Sequence, residues 1–180
     1  MVKVKLVLPN TLYKKSYLEA LKEFNKDTMQ QDEPQYEDIA TDFPGFVKTL
    51  KDRAKGKNLP PGYVPDTQLW LVLGNKYLGR VSIRHKLTPT LKARGGHIGY
   101  AIRPSARNKG YGSLILKLAL PKAFKLGIEK ALLTCNADNE YSRKIIEKNG
   151  GVLIKNDKIV ESGSLRFWVP TGKIGKSSNK

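Results

Sequence analysis

The six residues Arg107-Asn108-Lys109-Gly110-Tyr111-Gly112 hold the densest chemistry in the chain. They lie between an apolar run that ends near Arg103 and a long apolar stretch that starts near Gly110. They therefore read as a loop that leaves a strand and opens a helix. A helix start leaves backbone N–H groups unpaired and presents the positive end of the dipole. Glycines let that backbone approach an anion closely, and Arg107 and Lys109 add charge. Such a loop suits a pyrophosphate. Other phosphate motifs fit less well. A P-loop ends in Gly-Lys followed by Ser or Thr, which Gly110-Tyr111-Gly112 lacks. Gly74 to Gly79 has the P-loop glycine spacing, but Arg80-Val81 follows it. A dinucleotide fingerprint needs a third glycine, absent here. An ordinary basic turn with two glycines is the plain alternative.

The elements that must position this loop follow from the hydrophobic periods. Val2, Val4, Leu6 and Leu8 alternate, as in a strand. Tyr13, Tyr17, Leu21 and Phe24 recur at helical spacing over 11–27, and Phe46, Leu50 and Ala54 over 45–56. Pro34 and Pro44 read as breakers between them. Residues 67–74 and 77–87 read as strands joined at the turn pair Gly74-Asn75. A turn region follows over 88–96, then a strand over 97–103. The helix over 110–126 is nearly all apolar, with Lys117, Lys122 and Lys125 in one water-facing sector and Pro121 expected to kink it. A buried strand at 130–135, a helix at 138–149 stopped by Gly150-Gly151, and strands near 151–156 and 162–169 complete the series. The order is β-α-α-β-β-β-α-β-α-β-β. That implies an α/β (α+β) fold with one mixed sheet, helices on both faces and a right-handed crossover over 97–135.

The chain has 180 residues, the size of one domain, and 39% are hydrophobic, enough for a core without staples. The single cysteine, Cys135, forbids an internal disulfide and fits a cytoplasmic location. It could act as a nucleophile; a buried structural role is the plainer reading. No apolar run resembles a signal peptide or a membrane span. No Cys or His cluster has metal-ligand spacing, so no metal is expected. The formal charge of +17 would attract polyanions, but the charge is spread rather than packed into one tract. Residues 27–47 depart from this trend: they hold Asp27, Asp32, Glu33, Glu37, Asp38 and Asp42 and no Lys or Arg. That segment could draw in a cationic amine, or be a solvated loop. Trp70 and Trp168 read as core, and the tail after 168 as basic and disordered.

Gly99-Tyr100-Ala101-Ile102-Arg103-Pro104 followed by Arg107 to Gly112 resembles the signature of the GNAT superfamily of acetyl-CoA-dependent N-acetyltransferases, Arg/Gln-x-x-Gly-x-Gly/Ala after a strand. Asn139-Glu140-Tyr141-Ser142 and Ile146 to Gly151 resemble that family's second conserved stretch. The resemblance covers roughly 1–168 and is densest over 97–151. It implies an N-acetyltransferase domain at 1–168, with acetyl-CoA as co-substrate. The strands at 97–103 and 130–135 would splay apart around the pantetheine arm. Backbone groups of Ile102 and Arg103 would pair with that arm. The loop Arg107, Asn108, Lys109, Gly110, Tyr111, Gly112 would hold the pyrophosphate, and Asn139 and Ser142 would touch the cofactor. A primary amine of a small molecule or peptide would attack the thioester directly, and a backbone N–H near Ala101–Ile102 would meet the oxyanion.

The family's glutamate base falls on His97 here, which suits base work at neutral pH with its pKa of about 6.5. His85 shares a face with His97 if the intervening hairpin is centred near Leu91, and a one-residue slip separates the two. The family's tyrosine acid falls on Ile146, which has no proton to give; Tyr141 or Ser142 could substitute. Two other readings compete. The charge suggests an RNA-binding module, although the paired aromatics of single-strand readers are missing, which makes nucleic acid a poor partner. Ile146 suggests a CoA-binding relative without catalysis. The sequence leaves a homodimer open.

Overall fold

The structure is a computed structural model and describes residues 3–27, 36–155 and 163–172. Its first sheet is antiparallel, in the order β1 (Lys5–Val7), β2 (Asp66–Leu73), β3 (Lys76–Arg84), β4 (Ile98–Ile102). Its second is β5 (Lys130–Asn136), β7 (Ser164–Pro170), β6 (Val152–Leu153), also antiparallel. The mixed sheet expected from the element order is thus divided into two antiparallel halves. No ladder joins β4 to β5; at the start of β4 the His97 N–H donates to Leu132 O at 2.7 Å and the Gly95 N–H to Thr134 Oγ1 at 2.8 Å.

Helices cover both faces of the first sheet. On one side lie α1 (Lys14–Lys26), α2 (Tyr36–Thr41) and α3 (Phe43–Arg53). Tyr17, Ala20, Leu21 and Phe24 form the buried stripe of α1 at i, i+3, i+4 and i+7. It packs with Phe43, Val47 and Leu50 of α3 on Trp70, Val72 and Tyr77. Tyr17 stacks on Trp70 with ring centroids 4.8 Å apart. On the other side α5 (Tyr111–Lys125) lays Ile115, Leu116, Ala119 and Ala123 against Leu69, Leu71, Val81 and Ile83. The run Leu69-Trp70-Leu71-Val72 is continuously apolar because both of its faces are covered. α6 (Glu140–Lys148) packs on the start of α5. Asn149 Nδ2 donates to Ser113 O and Oγ at 3.3 and 3.2 Å, and Ile145 lies against Gly112.

Several expectations shift. The acidic stretch contains α2, with Glu37 and Asp38 in its first turn, where carboxylates suit the dipole. Pro44 does not break a helix; it sits in the first turn of α3, a position that needs no N–H donor. Asp42 caps that helix by accepting from the Gly45 N–H at 2.9 Å. The turn region 88–96 holds a short helix, α4 (Pro89–Ala93), capped by Thr88. α5 runs on through Pro121, with Lys117, Lys122 and Lys125 exposed. Trp168 is 42% exposed rather than core. The fold continues past 168: Thr171 is buried, and its N–H donates to Glu129 O at 3.1 Å. Residues 173–180 of the expected tail, and Asp32 and Glu33, lie outside the described residues. Among the described residues no helix is long and apolar enough to cross a membrane.

Candidate active site

β4 feeds a 3-10 turn (Pro104–Ala106), and the chain then needs left-handed backbone twice before α5 begins, at Asn108 (φ 59°) and Gly110 (φ 77°). Asparagine tolerates that region and glycine is free there. The first helical bond to close is the Leu114 N–H on Gly110 O at 3.1 Å. The N–H groups of Tyr111, Gly112 and Ser113 are thus left open at the head of a 15-residue helix. No atom comes within 4 Å of where a Cβ on Gly110 would stand, so an anion can approach the bare backbone. A Cβ on Gly112 would meet Ile145 Cδ1 at 2.6 Å, the movable end of a side chain.

The loop's arginines turn away from this opening. Arg103 is 8% exposed, and its guanidinium donates to Glu23 Oε1, to Ser16 Oγ at 3.2 Å and to Tyr77 O at 3.2 Å. Its backbone is also engaged: the N–H donates to Leu78 O at 2.9 Å and the carbonyl accepts from the Ala106 N–H at 2.8 Å. Of the two backbone groups expected to pair with a pantetheine arm at Arg103, the N–H is thus turned to β3, and the carbonyl keeps one lone pair. Arg107 donates from Nε to Ile102 O at 3.2 Å and pairs with Asp27 at 2.5 Å. Lys109 Nζ donates to Ser105 O at 3.0 Å. Glu23 was missed by the sequence reasoning. It flanks the buried stripe of α1, and no local pattern says which arginine it meets.

The gap between β4 and β5 is the second part of the site. With the Arg103 N–H on β3, strand alternation turns the N–H groups of Ile102, Tyr100 and Ile98 toward β5. Tyr100 reaches from β4 to α6, its hydroxyl 3.2 Å from Ser142 Oγ. Burial pushes the Tyr100 phenol up to about 12, so it keeps its proton at neutral pH. Asn139 caps α6, its Oδ1 accepting from the Ser142 N–H at 2.9 Å. Tyr141, expected as a catalytic candidate, is 78% exposed and takes no part in this bridge. Ile146 is buried in the core. Burial also pushes the Cys135 thiol up, which favours the unreactive thiol over the thiolate.

His97 sits where the two sheets meet. Its Nδ1 accepts the Leu132 N–H at 2.9 Å while its own N–H donates to Leu132 O. Burial, and then the charge of Arg84, lower its pKa, so the ring is neutral. A neutral ring that accepts at Nδ1 carries its proton on Nε2. In this arrangement the Nδ1 lone pair is taken by the Leu132 N–H, and the side chain clasps the two sheets. The expected pairing of the two histidines does not occur. Ile83 opposes Ile98 and the Arg84 N–H bonds His97 O, a register one residue away from the one that would align them. His85 instead pairs with Thr67 at 2.8 Å.

His97, Gly99 and Ala101 share the face of β4 that looks toward α1–α3. There Asp66, 3% exposed, accepts from Arg53 Nε at 2.8 Å and Ser82 Oγ at 2.6 Å. Of the acidic segment, Asp27 and Asp42 are committed to Arg107 and to the cap of α3, while Glu37 and Asp38 are exposed.

Residues 21–152 match a family model described as an acetyltransferase (GNAT) domain. No curated protein matches the chain in sequence. Among solved structures the chain is similar to RimL, a ribosomal L7/L12 alpha-N-protein acetyltransferase (18% identity, TM-score 0.65, covering 94% of this chain and 91% of that one). It is also similar to the microcin C7 self-immunity acetyltransferase MccE in complex with acetyl-CoA and AMP (14%, 0.63, 93% and 92%). A third is Mycobacterium smegmatis RimJ in complex with CoA-disulfide (15%, 0.64, 93% and 81%). At these identities the likeness speaks to the fold.

Proposed function

This chain belongs to the GNAT family of acetyltransferases and takes acetyl-CoA as its co-substrate, and on that premise we propose that it moves the acetyl group onto a primary amine of a small molecule or peptide by direct attack on the thioester. The observation that carries the reading is the open N-terminus of α5 beside the unladdered gap between β4 and β5. The residues fit the group. Three N–H groups and an unobstructed Gly110 face the place where a pyrophosphate would sit. The open edge of β4 offers N–H and C=O groups to an amide-bearing arm.

Acetyl-CoA supplies the electrophilic carbonyl. The backbone N–H groups of Tyr100 and Ile102, fixed on a strand held from β3, meet the oxygen as it becomes negative. Ser142 supports the leaving group, its hydroxyl free to hydrogen-bond the departing thiolate when the Tyr100 phenol donates to its Oγ, and the thiolate, with a pKa of about 8.5, takes its proton from water. The amine's proton leaves to water. An α-amino group, with a pKa of about 7.7–8.0, is substantially neutral at physiological pH, whereas a lysine at about 10.4 is not. A site without a histidine base therefore favours α-amino acceptors. The activity named for RimL, on a protein α-amine, points the same way. The lone buried thiol fits a cytoplasmic setting.

Thermal stability with and without acetyl-CoA tests the reading, with free ADP as control and thiol release measured over peptide N-termini, polyamines and aminoglycosides. A ligand at 100 times its dissociation constant adds about 2.7 kcal/mol. A shift specific to acetyl-CoA, with turnover on peptide amines, is expected. No shift at millimolar acetyl-CoA would overturn the reading, and salt-sensitive RNA binding would take its place.

A further inference from the structure

We propose that Glu23 is a positioning residue for the anion end of acetyl-CoA: from α1 it fixes the loop between β4 and α5 through Arg103 and Ser105, without touching the ligand. This rests on the reading of that loop as the pyrophosphate site.

Both carboxylate oxygens are spent on the loop. Oε1 accepts from Arg103 Nε at 3.1 Å and Nη2 at 2.5 Å, and from Ser105 Oγ at 3.0 Å. Oε2 accepts the Ser105 backbone N–H at 2.9 Å. One side chain therefore secures both ends of the 3-10 turn's first step. Its partner Arg103 is nearly buried and is tied independently to α1 through Ser16 and to β3 through Tyr77 O. The same pattern recurs one helical turn further along α1. Asp27, the residue that caps the end of α1, pairs with Arg107 at 2.5 Å, so acids four residues apart hold arginines four residues apart.

The sign of the charge argues for holding rather than contact. A carboxylate facing a pyrophosphate would repel it. Here Arg103 neutralises Glu23, and the attraction is left to the backbone N–H groups of Tyr111, Gly112 and Ser113. Those groups converge on an anion only while Asn108 and Gly110 keep their left-handed backbone. A loop tied at Arg103, Ser105 and Arg107 cannot relax out of it. Ordering the loop before binding removes an entropic cost that the ligand would otherwise bear. Arg103 and Arg107, which look from their spacing like phosphate ligands, are then the loop's anchors.

The test compares two probes on the full chain: CoA, and S-acetylpantetheine, which shares the arm and lacks the pyrophosphate. Glu23→Gln keeps the size but sets an amide N–H₂ against donors and removes the charge. The dissociation constant for CoA should rise about tenfold or more, as expected for loss of a charge-assisted bond. That for S-acetylpantetheine should stay within about twofold. Asp27→Asn, in a more exposed pair, should give the same split with a smaller change, and it carries the test if Glu23→Gln does not fold. Equal weakening of both probes would mean that Glu23 serves only folding, and no weakening of either would mean that the loop does not need it; each overturns the inference. If the wild-type chain fails to prefer CoA over S-acetylpantetheine, the pyrophosphate reading itself falls, a result separable from the other two.

Discussion

The two ends of the cleft are built differently. At the anion end the loop is held by two acid–arginine pairs and a lysine folded back on its own loop, and the ligand is left to bare backbone. At the reacting end there are few groups: one phenol–hydroxyl bridge, Tyr100 to Ser142, and one histidine clasp, His97 to Leu132. On the proposed reading, the charged residues work as scaffolding where the ligand is charged, and neutral donors stand where the chemistry would occur. A pyrophosphate is recognised by any rigid nest of N–H groups, so that end gains from rigidity. Acyl transfer to an amine that is already neutral gains mostly from placing two reactants, so the other end needs few catalytic side chains.

The contrast can be broken from either side. Arg103→Met should have the largest effect, because it leaves Glu23 without its counter-charge: a loss of about 3 kcal/mol in stability, together with weaker CoA binding. A melting temperature within a degree of wild type would mean that the loop is not held as described. Ser142→Ala should do the reverse, lowering kcat by about a hundredfold with CoA affinity and stability unchanged. A fall in affinity with kcat preserved would move Ser142 from the chemistry to the binding surface. Gly96→Ala attacks the junction between the ends. Gly96 has φ of 62° and its Cβ would collide with Leu132 O. A loss of about 2 kcal/mol is expected by denaturant titration, and a neutral result would show that the β4–β5 junction can shift.

The smallest expected effect is the pH dependence of the His97 clasp. Its folded pKa is lowered by burial and by Arg84. The unfolded chain therefore binds the proton more readily, and the clasp's contribution is complete above about pH 6.5 and lost as pH falls toward the folded value. Melting temperatures across that window should show the slope in wild type and lose it in His97→Asn. A kcat limb near pH 6.5 that vanishes in the same variant would restore His97 as a base.

Much of the fold was legible because its signals are local. The recurrence of Tyr17, Leu21 and Phe24 marks a helix by spacing alone, Gly74-Asn75 marks a hairpin, and the glycines of the loop from Arg107 to Gly112 mark the turn that opens α5. The short helices were missed for the opposite reason. Neither Tyr36–Thr41 nor Pro89–Ala93 is long enough to show a period, although Thr88-Pro89 is a capping signal. The exposed face of Trp168 was misjudged because β7 is covered on one face only, and alternation does not say which face meets the core.

What the sequence by itself determined was the class and order of the longer elements and the loop proposed to hold the pyrophosphate, since each depends on residues within a few positions of one another. Only the tertiary structure decided which acids hold Arg103 and Arg107, that the sheet splits at His97, and that His85 and His97 stand apart. Those depend on partners tens of residues distant and on a register in which a slip of one residue turns each side chain to the opposite face.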